Sequence, residues 1–221
     1  MKLAIFDFDG TLYKEETFTL LMNHLKKHHK YGSRYKRFYL SILFPYISYK
    51  LKMYPEEKMK ANLMHKYLKT FRGLSEEELH TYFAEVASEM KADLNNEVIA
   101  RMEEHAKDGY YIMIVSGSFV PLLEMIAKDL PVDHIIGTEV PFEDGMFDPY
   151  KPIDHVHATR KTELIQSFLA EKSVHWDESV AYGDSYSDLS VLQLVGKPVA
   201  VAPDELLRLV ANEKAWEILE S

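Results

Sequence analysis

Aspartates follow two short apolar runs in this 221-residue chain. Asp7 and Asp9 come directly after a run near the start of the sequence. Asp184 and Asp188 come after the run Val180 to Tyr182, from which they are separated by a glycine. A short apolar run that ends in a glycine-containing loop is typical of a buried strand. Because ligands of an open α/β sheet bind at the carboxyl ends of its strands, we expect these carboxylates to converge at one edge.

Converging carboxylates predict a metal and a phosphoryl-transfer reaction. They would repel one another unless a cation lay among them, and hard oxygen ligands of this kind suit Mg²⁺. Asp7 lies at the strand end, where a carboxylate can attack phosphorus and form an aspartyl-phosphate. Asp9, two residues further on, can protonate the leaving oxygen and then activate water. Groups available to stabilise the phosphoryl charge are the Ser116 hydroxyl, the Gly117 and Ser118 amides and the Lys161 ammonium.

The elements that must position these groups alternate between strands and helices, which predicts an α/β fold with a doubly wound, Rossmann-like parallel sheet. Further strands are predicted at Tyr110–Val115, at His134–Ile136 and at Pro198–Ala202, the last being the final strand of the chain. A hairpin is predicted within residues 138–147, with Asp144-Gly145 at its turn.

A helical block interrupts this alternation after the first strand. The pattern predicts an α/β core formed by residues 1–14 and 90–221, with an all-α cap formed by residues 15–89. Within the cap, Pro45 predicts a break or kink and Pro55 the start of a helix. Ser75 begins a capping-box pattern for another helix.

Charge is distributed unevenly about a net charge of −9. Residues 19–72 hold 13 basic residues and two acidic ones, a balance of +11, whereas the remainder carries 13 basic and 33 acidic residues, or −20. This asymmetry indicates an anionic partner or surface. Nucleic acid is not expected, because no recognised nucleic-acid fold accompanies the charge.

The segment 38–53 is apolar or aromatic at 11 of its 16 positions and has basic flanks. We expect it to form the core of the helical insert, and a lipophilic substrate pocket or peripheral contact with anionic lipid are the alternatives. Clustered histidines (His24, His28 and His29, and His155 and His157) are expected at the surface, because no carboxylate or cysteine partners them at ligand spacing.

Absences in the sequence exclude several classes of protein. The chain has no cysteine, which removes disulfides, thiol nucleophiles and thiolate metal sites. No stretch reaches 18 uninterrupted apolar residues, so no transmembrane segment is expected. Asp7 and Asp9 interrupt the first apolar run too early for a signal peptide, and the expected location is cytoplasmic.

Four motifs in order resemble those of the haloacid dehalogenase (HAD) superfamily: Asp7-Phe8-Asp9-Gly10-Thr11, the apolar strand ending in Ser116, Lys161, and Gly183-Asp184-Ser185-x-x-Asp188. The resemblance spans nearly the whole chain. It implies a nucleophilic Asp7, an acid/base Asp9 and a substrate or phosphate site that includes Thr11, Ser116 and Lys161. It also implies Mg²⁺ held by Asp7, the Asp9 carbonyl and Asp184, with support from Asp188.

The place of the helical insert resembles the phosphoserine-phosphatase-like branch of that superfamily. Glu16 lies where those enzymes carry a glutamate that binds the substrate amine, although an acidic residue at a helix start is an equal alternative. Those enzymes also carry an arginine in the insert, and the matching stretch here, His65-Lys66-Tyr67, has none. The resemblance therefore implies a phosphatase for a small phosphorylated metabolite or a lipid phosphate, and leaves the substrate and the oligomeric state open.

Three rival functions remain at this point. A phosphotransferase would pass the phosphoryl group to an alcohol, and a lipid-phosphate phosphatase, similar to phosphatidylglycerophosphatases, would act at an anionic membrane surface. A non-enzymatic phospho-acceptor switch would use similar residues, but receiver domains of that kind are shorter and lack an aspartate two residues after the phosphorylated one.

Overall fold

A computed structural model describes residues 1–51 and 56–220, and of residues 46, 56 and 57 the backbone only. The strands are β1 (Leu3–Phe6), β2 (Tyr111–Phe119), β3 (His134–Thr138), β4 (Phe142–Glu143), β5 (Met146–Phe147), β6 (Val180–Gly183), β7 (Lys197–Val201) and β8 (Glu217–Leu219). The helices are α1 (Thr17–Lys27), α2 (Gly32–Lys50), α3 (Glu56–Lys69), α4 (Glu76–Met90), α5 (Asn96–Lys107), α6 (Val120–Ala127), α7 (Thr159–Leu169), α8 (Leu189–Leu192) and α9 (Glu205–Glu213).

The described residues form one parallel sheet of six strands in the order β3-β2-β1-β6-β7-β8. β1 lies at its centre, where Ala4 is in register with Ile112 of β2 on one side and with Val180 of β6 on the other. Both faces of the sheet pack against apolar side chains, as expected for short parallel strands that are apolar throughout. The predicted α/β class with a doubly wound parallel sheet is confirmed.

The end of the chain differs from the prediction, because β7 is not the final strand. α9 follows it and β8 then pairs in parallel with β7, with Val199 opposite Glu217. β8 is only three residues long, too short to show a recognisable hydrophobic period. β2 also extends beyond the predicted Val115 to Phe119, with a shift in its register against β3 between those two residues.

The helices α1 to α4 lie between β1 and α5 in the chain and share an aromatic core. Tyr67 is fully buried in it, where its hydroxyl donates to the Leu21 carbonyl and lies 2.6 Å from the Tyr82 hydroxyl. The predicted capping box at Ser75 is present at the start of α4. The residues 52–55, which include the predicted helix start at Pro55, lie outside the described part of the chain.

Of the predicted break or kink at Pro45, the break does not occur, because α2 continues through this residue. A proline has no backbone N–H, so the carbonyl four residues earlier loses its helical hydrogen bond. That carbonyl belongs to Ser41, and here it accepts a hydrogen bond from the Lys66 ammonium of the neighbouring helix α3. The replacement donor removes part of the cost of keeping a proline inside the helix.

Helices α1 to α4, called here the cap, are joined to the α/β core where the chain enters and leaves them. At this crossing the Asn95 amide donates to the Leu12 carbonyl at 2.8 Å, and the Lys14 amide donates to the Asp93 carbonyl at 3.2 Å. The Phe119 ring, at the end of β2, packs against Tyr67 and Phe83 of the cap, with ring centroids 6.2 and 5.7 Å apart. One apolar cluster therefore runs from the sheet into the cap.

A second attachment comes from the β4–β5 hairpin, whose turn is formed as predicted by Asp144 and Gly145, both at positive φ. The Gly145 carbonyl accepts from the Glu76 amide at 2.9 Å. The Phe147 amide donates to the Leu74 carbonyl at 3.0 Å. The hairpin thus holds the start of α4 against the α/β core.

Candidate active site

The loop after β1 places Asp7 at the carboxyl edge of the sheet. The Asp7 amide donates to the Tyr182 carbonyl at 3.0 Å, which continues the β1–β6 ladder by one residue, and the Asp7 side chain is buried. Gly10 then turns the chain at φ +75°, where a Cβ atom would lie 2.2 Å from Asp184 Oδ2. A glycine is therefore required both for the turn and for the close approach of Asp184.

Lys161, in the first turn of α7, lies between two carboxylates. Its Nζ is 2.5 Å from Asp7 Oδ1 and 2.6 Å from Asp188 Oδ1, and all three side chains are buried. Burial alone favours the neutral amine, but the charges of Asp188 and Asp7 outweigh it and raise the pKa of Lys161. Lys161 is therefore a fixed positive charge at the predicted nucleophile.

Asp184 completes a group of three carboxylates with Asp7 and Asp188, whose oxygen atoms lie within 4.8 Å of one another. Burial, and then the charge of Asp188, raise the pKa of Asp7 well above its ordinary value and that of Asp184 to about 7. One lysine does not balance these three carboxylates, of which Asp7 and Asp188 are buried and Asp184 is half-buried. A hard divalent cation such as Mg²⁺ fits this donor set, because clustered carboxylate oxygens are the ligands it prefers.

Asp9 points away from that group and towards the start of α1. Its Oδ1 accepts from the Thr17 amide at 2.7 Å and its Oδ2 accepts from the Ser118 hydroxyl at 3.3 Å. Burial, opposed by the hydrogen bonds from Thr17, raises the pKa of Asp9 to about 6. A carboxyl group with such a pKa can give up and take back a proton near neutral pH. No pattern in the sequence singles out Thr17, which contacts Asp9 through its backbone amide.

Ser116, Gly117 and Ser118 form the irregular end of β2. Ser116 Oγ accepts from the Ser118 amide at 3.0 Å. This amide, which is predicted to contact the phosphoryl group, is therefore engaged within the loop in the present arrangement. The Gly117 carbonyl accepts from the Thr138 hydroxyl of β3 at 2.7 Å. The register of β2 against β3 shifts between Val115 and Phe119. Irregularities of this kind are common next to active sites, where they change the direction in which side chains point.

Thr138, the last residue of β3, supports this loop, and no pattern in the sequence singles it out. Its oxygen accepts from the Val156 amide at 3.3 Å and lies 3.2 Å from His155 Nδ1. Since the Thr138 proton goes to Gly117, His155 Nδ1 is the donor to Thr138. Burial lowers the pKa of His155 to about 4, so this imidazole is neutral.

Two other predicted site residues lie nearby. Thr11 is fully buried, and its hydroxyl has no hydrogen-bond partner among the described residues. Glu16 is the exposed residue before α1 and makes no side-chain capping bond. Its negative charge contributes to the raised pKa of both Asp9 and Asp184, which places it within electrostatic reach of the site.

The expectation of surface histidines is wrong for His24 and His28, which are buried between α1 and α4. His24 Nδ1 lies 2.8 Å from Glu89 Oε1, and His28 Nε2 lies 3.0 Å from Glu85 Oε2. These carboxylates are about 60 residues away in the chain, so local spacing does not reveal them. Glu85 and both histidines are close enough to hold a metal.

The hydrogen bonds of His28 favour a structural role for this cluster. Its Nδ1 accepts from the Lys30 and Tyr31 amides, each at 3.1 Å. The proton therefore lies on Nε2, where it is donated to Glu85, and a nitrogen that carries its proton does not ligate a metal. His28 thus joins the end of α1 to α4.

Other features lie away from the aspartate group. A cleft of about 810 Å³ opens at the amino-terminal ends of β6 and β7, the opposite edge of the sheet from Asp7.

No helix of the described residues is long and apolar enough to cross a membrane.

Comparisons with known proteins show the family of this chain. A family model described as haloacid dehalogenase-like hydrolase matches residues 4–193. Phosphoserine phosphatase SerB1 of Mycobacterium tuberculosis is 28% identical over 97% of this chain and 69% of its own length.

Two solved structures share the fold. A protein of unknown function from Bordetella pertussis Tohama I has a TM-score of 0.81 at 20% identity, over 99% of this chain and 98% of its own. A phospho-aspartyl intermediate analogue of phosphoserine phosphatase has a TM-score of 0.65 at 18% identity, over 100% and 93%. The chain therefore belongs to the haloacid dehalogenase-like hydrolases, in their phosphoserine-phosphatase-like branch, and is an enzyme of the phosphatase class.

Proposed function

We propose that this enzyme hydrolyses a small phosphomonoester through an aspartyl-phosphate on Asp7. The observation that supports it most is the ion-paired arrangement of Asp7, Lys161 and Asp188 beside Asp184, at the sheet edge where ligands of such folds bind. In the proposed reaction an Asp7 oxygen forms a bond to phosphorus as the alcohol oxygen leaves. Water then attacks the same phosphorus, and the Asp7 carboxylate is regenerated.

Asp9 is the proposed acid and base of both steps. Its protonated form donates to the leaving alcohol, and its ionised form then takes a proton from the attacking water. The Thr17 amide and the Ser118 hydroxyl fix the orientation of this carboxyl group in both steps. Because the Thr17 amide belongs to the start of α1, the cap itself contributes to the position of the proposed acid.

Positive charge at the site has two proposed sources. Lys161 holds Asp7 in place and faces the phosphoryl oxygens, with Ser116 as a further hydrogen-bond donor. Asp7, Asp184, Asp188 and the Asp9 carbonyl would hold Mg²⁺. When bound, this ion offsets the negative charge that the phosphate group brings among the carboxylates.

The substrate is proposed as a small phosphomonoester, without assignment to phosphoserine. Some relatives are named phosphoserine phosphatases, but the stretch His65-Lys66-Tyr67 supplies no arginine for a substrate carboxylate. Lys66 donates to the Ser41 carbonyl and Tyr67 is buried in the cap, so neither is presented as a replacement. Glu16 remains a proposed contact for a cationic group of the substrate.

Phosphate release from a panel of phosphomonoesters, with and without Mg²⁺, tests the proposal. The panel should contain phospho-amino acids, sugar phosphates, nucleotides and a lysophospholipid phosphate. Asp7→Asn is expected to lower turnover by a factor of at least about 10³ while the fold is retained, because the amide is a poor nucleophile. Asp177→Asn, at an exposed aspartate outside the site, is the matched control and should leave turnover unchanged. Full activity in Asp7→Asn would refute the assignment.

A further inference from the structure

Helix α2 exposes a continuous apolar face. Its members, called here the α2 stripe, are Leu40, Leu43, Phe44, Ile47 and Leu51 at the end of the helix, and all are exposed, Phe44 by 80% and Leu40 by 70%. Their spacing of three and four residues places them within about 100° of the helix circumference. Phe38 and Ile42 lie on the opposite side and are buried. Segment 38–53 is expected to form the core of the insert. In its described part, the face with Phe38 and Ile42 is buried as expected, and the face with the α2 stripe is exposed.

Among the described residues of α2, the charges beside the α2 stripe are all basic. Lys36 and Arg37 are exposed and lie one turn before Leu40, and Lys50 is exposed at the other end of the helix. Arg34 instead turns inward, where its guanidinium donates to the Thr70 carbonyl at 2.6 Å. No acidic residue occurs from Thr17 to Leu51. An apolar stripe with basic ends is typical of a helix that lies in the plane of a membrane interface.

Charge complementarity selects one occupant for this surface. A second copy of the chain, packed stripe against stripe, would bring two sets of lysines and arginines together without an acidic residue from either helix to pair with them. The headgroups of anionic lipid satisfy both features, because phosphates meet the basic ends while the large apolar side chains reach the acyl boundary. We propose that the α2 stripe docks the protein on an anionic lipid bilayer, with α2 parallel to the membrane plane.

Docking of this kind does not depend on the proposed catalytic reaction, since it needs no turnover. It does place the cap, which carries α2, at the lipid surface. Next to α2 in the cap, α3 carries Lys60, whose charge contributes to the lowered pKa of His155 near Gly117. The helix that packs against α2 is therefore within electrostatic reach of the loop that contains Gly117.

Vesicle co-sedimentation tests the proposal with the whole chain. The probes are vesicles of phosphatidylcholine and phosphatidylglycerol at a ratio of about 70:30, and vesicles of phosphatidylcholine alone, at low and at high salt. The main variant is Leu40→Ser/Phe44→Ser, and the matched control is Leu206→Ser/Leu209→Ser, which removes two exposed leucines from α9 in the α/β core. Lys36→Glu/Arg37→Glu tests the charges separately.

The wild-type chain is expected to sediment with the anionic vesicles, to sediment much less with the neutral ones and to be released by salt. Leu40→Ser/Phe44→Ser should lower the partition coefficient at least about tenfold. Lys36→Glu/Arg37→Glu should lower it by about fivefold for each residue, and the α9 control should leave it unchanged. Circular dichroism checks that each variant is folded.

Two results would overturn the proposal. One is that the wild-type chain does not sediment with anionic vesicles, or that both variants sediment as the wild type does. The other is a dimer in light scattering that Leu40→Ser/Phe44→Ser dissociates while no vesicle binding is seen, which would assign the α2 stripe to a second copy. Neither result would bear on phosphate release, so the proposed function is tested separately.

Discussion

Replacing Gly10 by alanine tests whether the position of Asp184 controls activity. A Cβ at Gly10 would lie 2.2 Å from Asp184 Oδ2 and 2.4 Å from its Cγ, whereas protein Cβ contacts are ordinarily 3.4 Å or longer and essentially never under 3.0 Å. Asp184 must therefore retreat by about 1 Å. A misplacement of about 1 Å in a catalytic site can cost about a hundredfold in rate.

The same substitution also strains the backbone, because φ at Gly10 is +75° and a residue with a side chain pays about 1–2 kcal/mol there. Gly109 separates the two effects. Its φ is +74°, and a Cβ at that position would meet nothing within 4 Å. Gly109→Ala should therefore lower the free energy of unfolding through backbone strain alone, without displacing any side chain.

Steady-state kinetics on a phosphomonoester that the panel identifies, together with urea unfolding, would measure both effects. Gly10→Ala should lose about a hundredfold in kcat/KM and need more Mg²⁺ for half-maximal rate, whereas Gly109→Ala should stay within about twofold of the wild type. Gly109→Ala should lose about 1–2 kcal/mol of unfolding free energy, and Gly10→Ala at least as much. The reasoning is refuted if Gly10→Ala keeps its activity, or if Gly109→Ala loses as much.

Further predictions concern the residues behind the active-site loop. Thr138→Val leaves the Gly117 carbonyl and the Val156 amide without their partner, and should cost about 1–3 kcal/mol in urea unfolding and lower kcat, whereas Thr138→Ser should restore most of both. His155 has its pKa lowered to about 4 by burial, so the unfolded chain binds a proton that the folded chain rejects between about pH 6.5 and 4. Stability that is present above pH 6.5 should be lost by up to about 3 kcal/mol as the pH falls to 4, and His155→Gln should show a correspondingly smaller loss. Equal pH dependence in the two proteins would contradict this account.

The proximity of Asp7, Asp184, Asp188 and Lys161 could be predicted from the sequence because each follows or begins an element with a clear pattern. Asp7 lies at the end of an apolar strand, and Lys161 in the first turn of an amphipathic helix. In a parallel sheet such positions share one edge, so local signals were enough to bring them together. The order of the motifs along the chain then identified the family.

Contacts between distant segments could not be predicted in this way. Glu85 contacts His28 only because α1 and α4 pack together, and this packing cannot be predicted from the sequence near either residue. The same holds for Lys66, whose ammonium satisfies the carbonyl that Pro45 leaves unpaired. Pro45 was interpreted from local backbone rules, and a tertiary hydrogen bond altered the outcome. The division of the chain at residues 15 and 89 stays a prediction.

Phe119 has a consequence for how this enzyme could change over evolution. Its ring lies within the aromatic core of the cap, while its backbone directly continues the loop that holds Ser116 and Ser118. A substitution at Tyr67 or Phe83 that repacks the cap would therefore also move the residue that anchors the loop of Ser116 and Ser118. The cap is not an exchangeable module: a different cap could replace it only together with a new partner for Phe119.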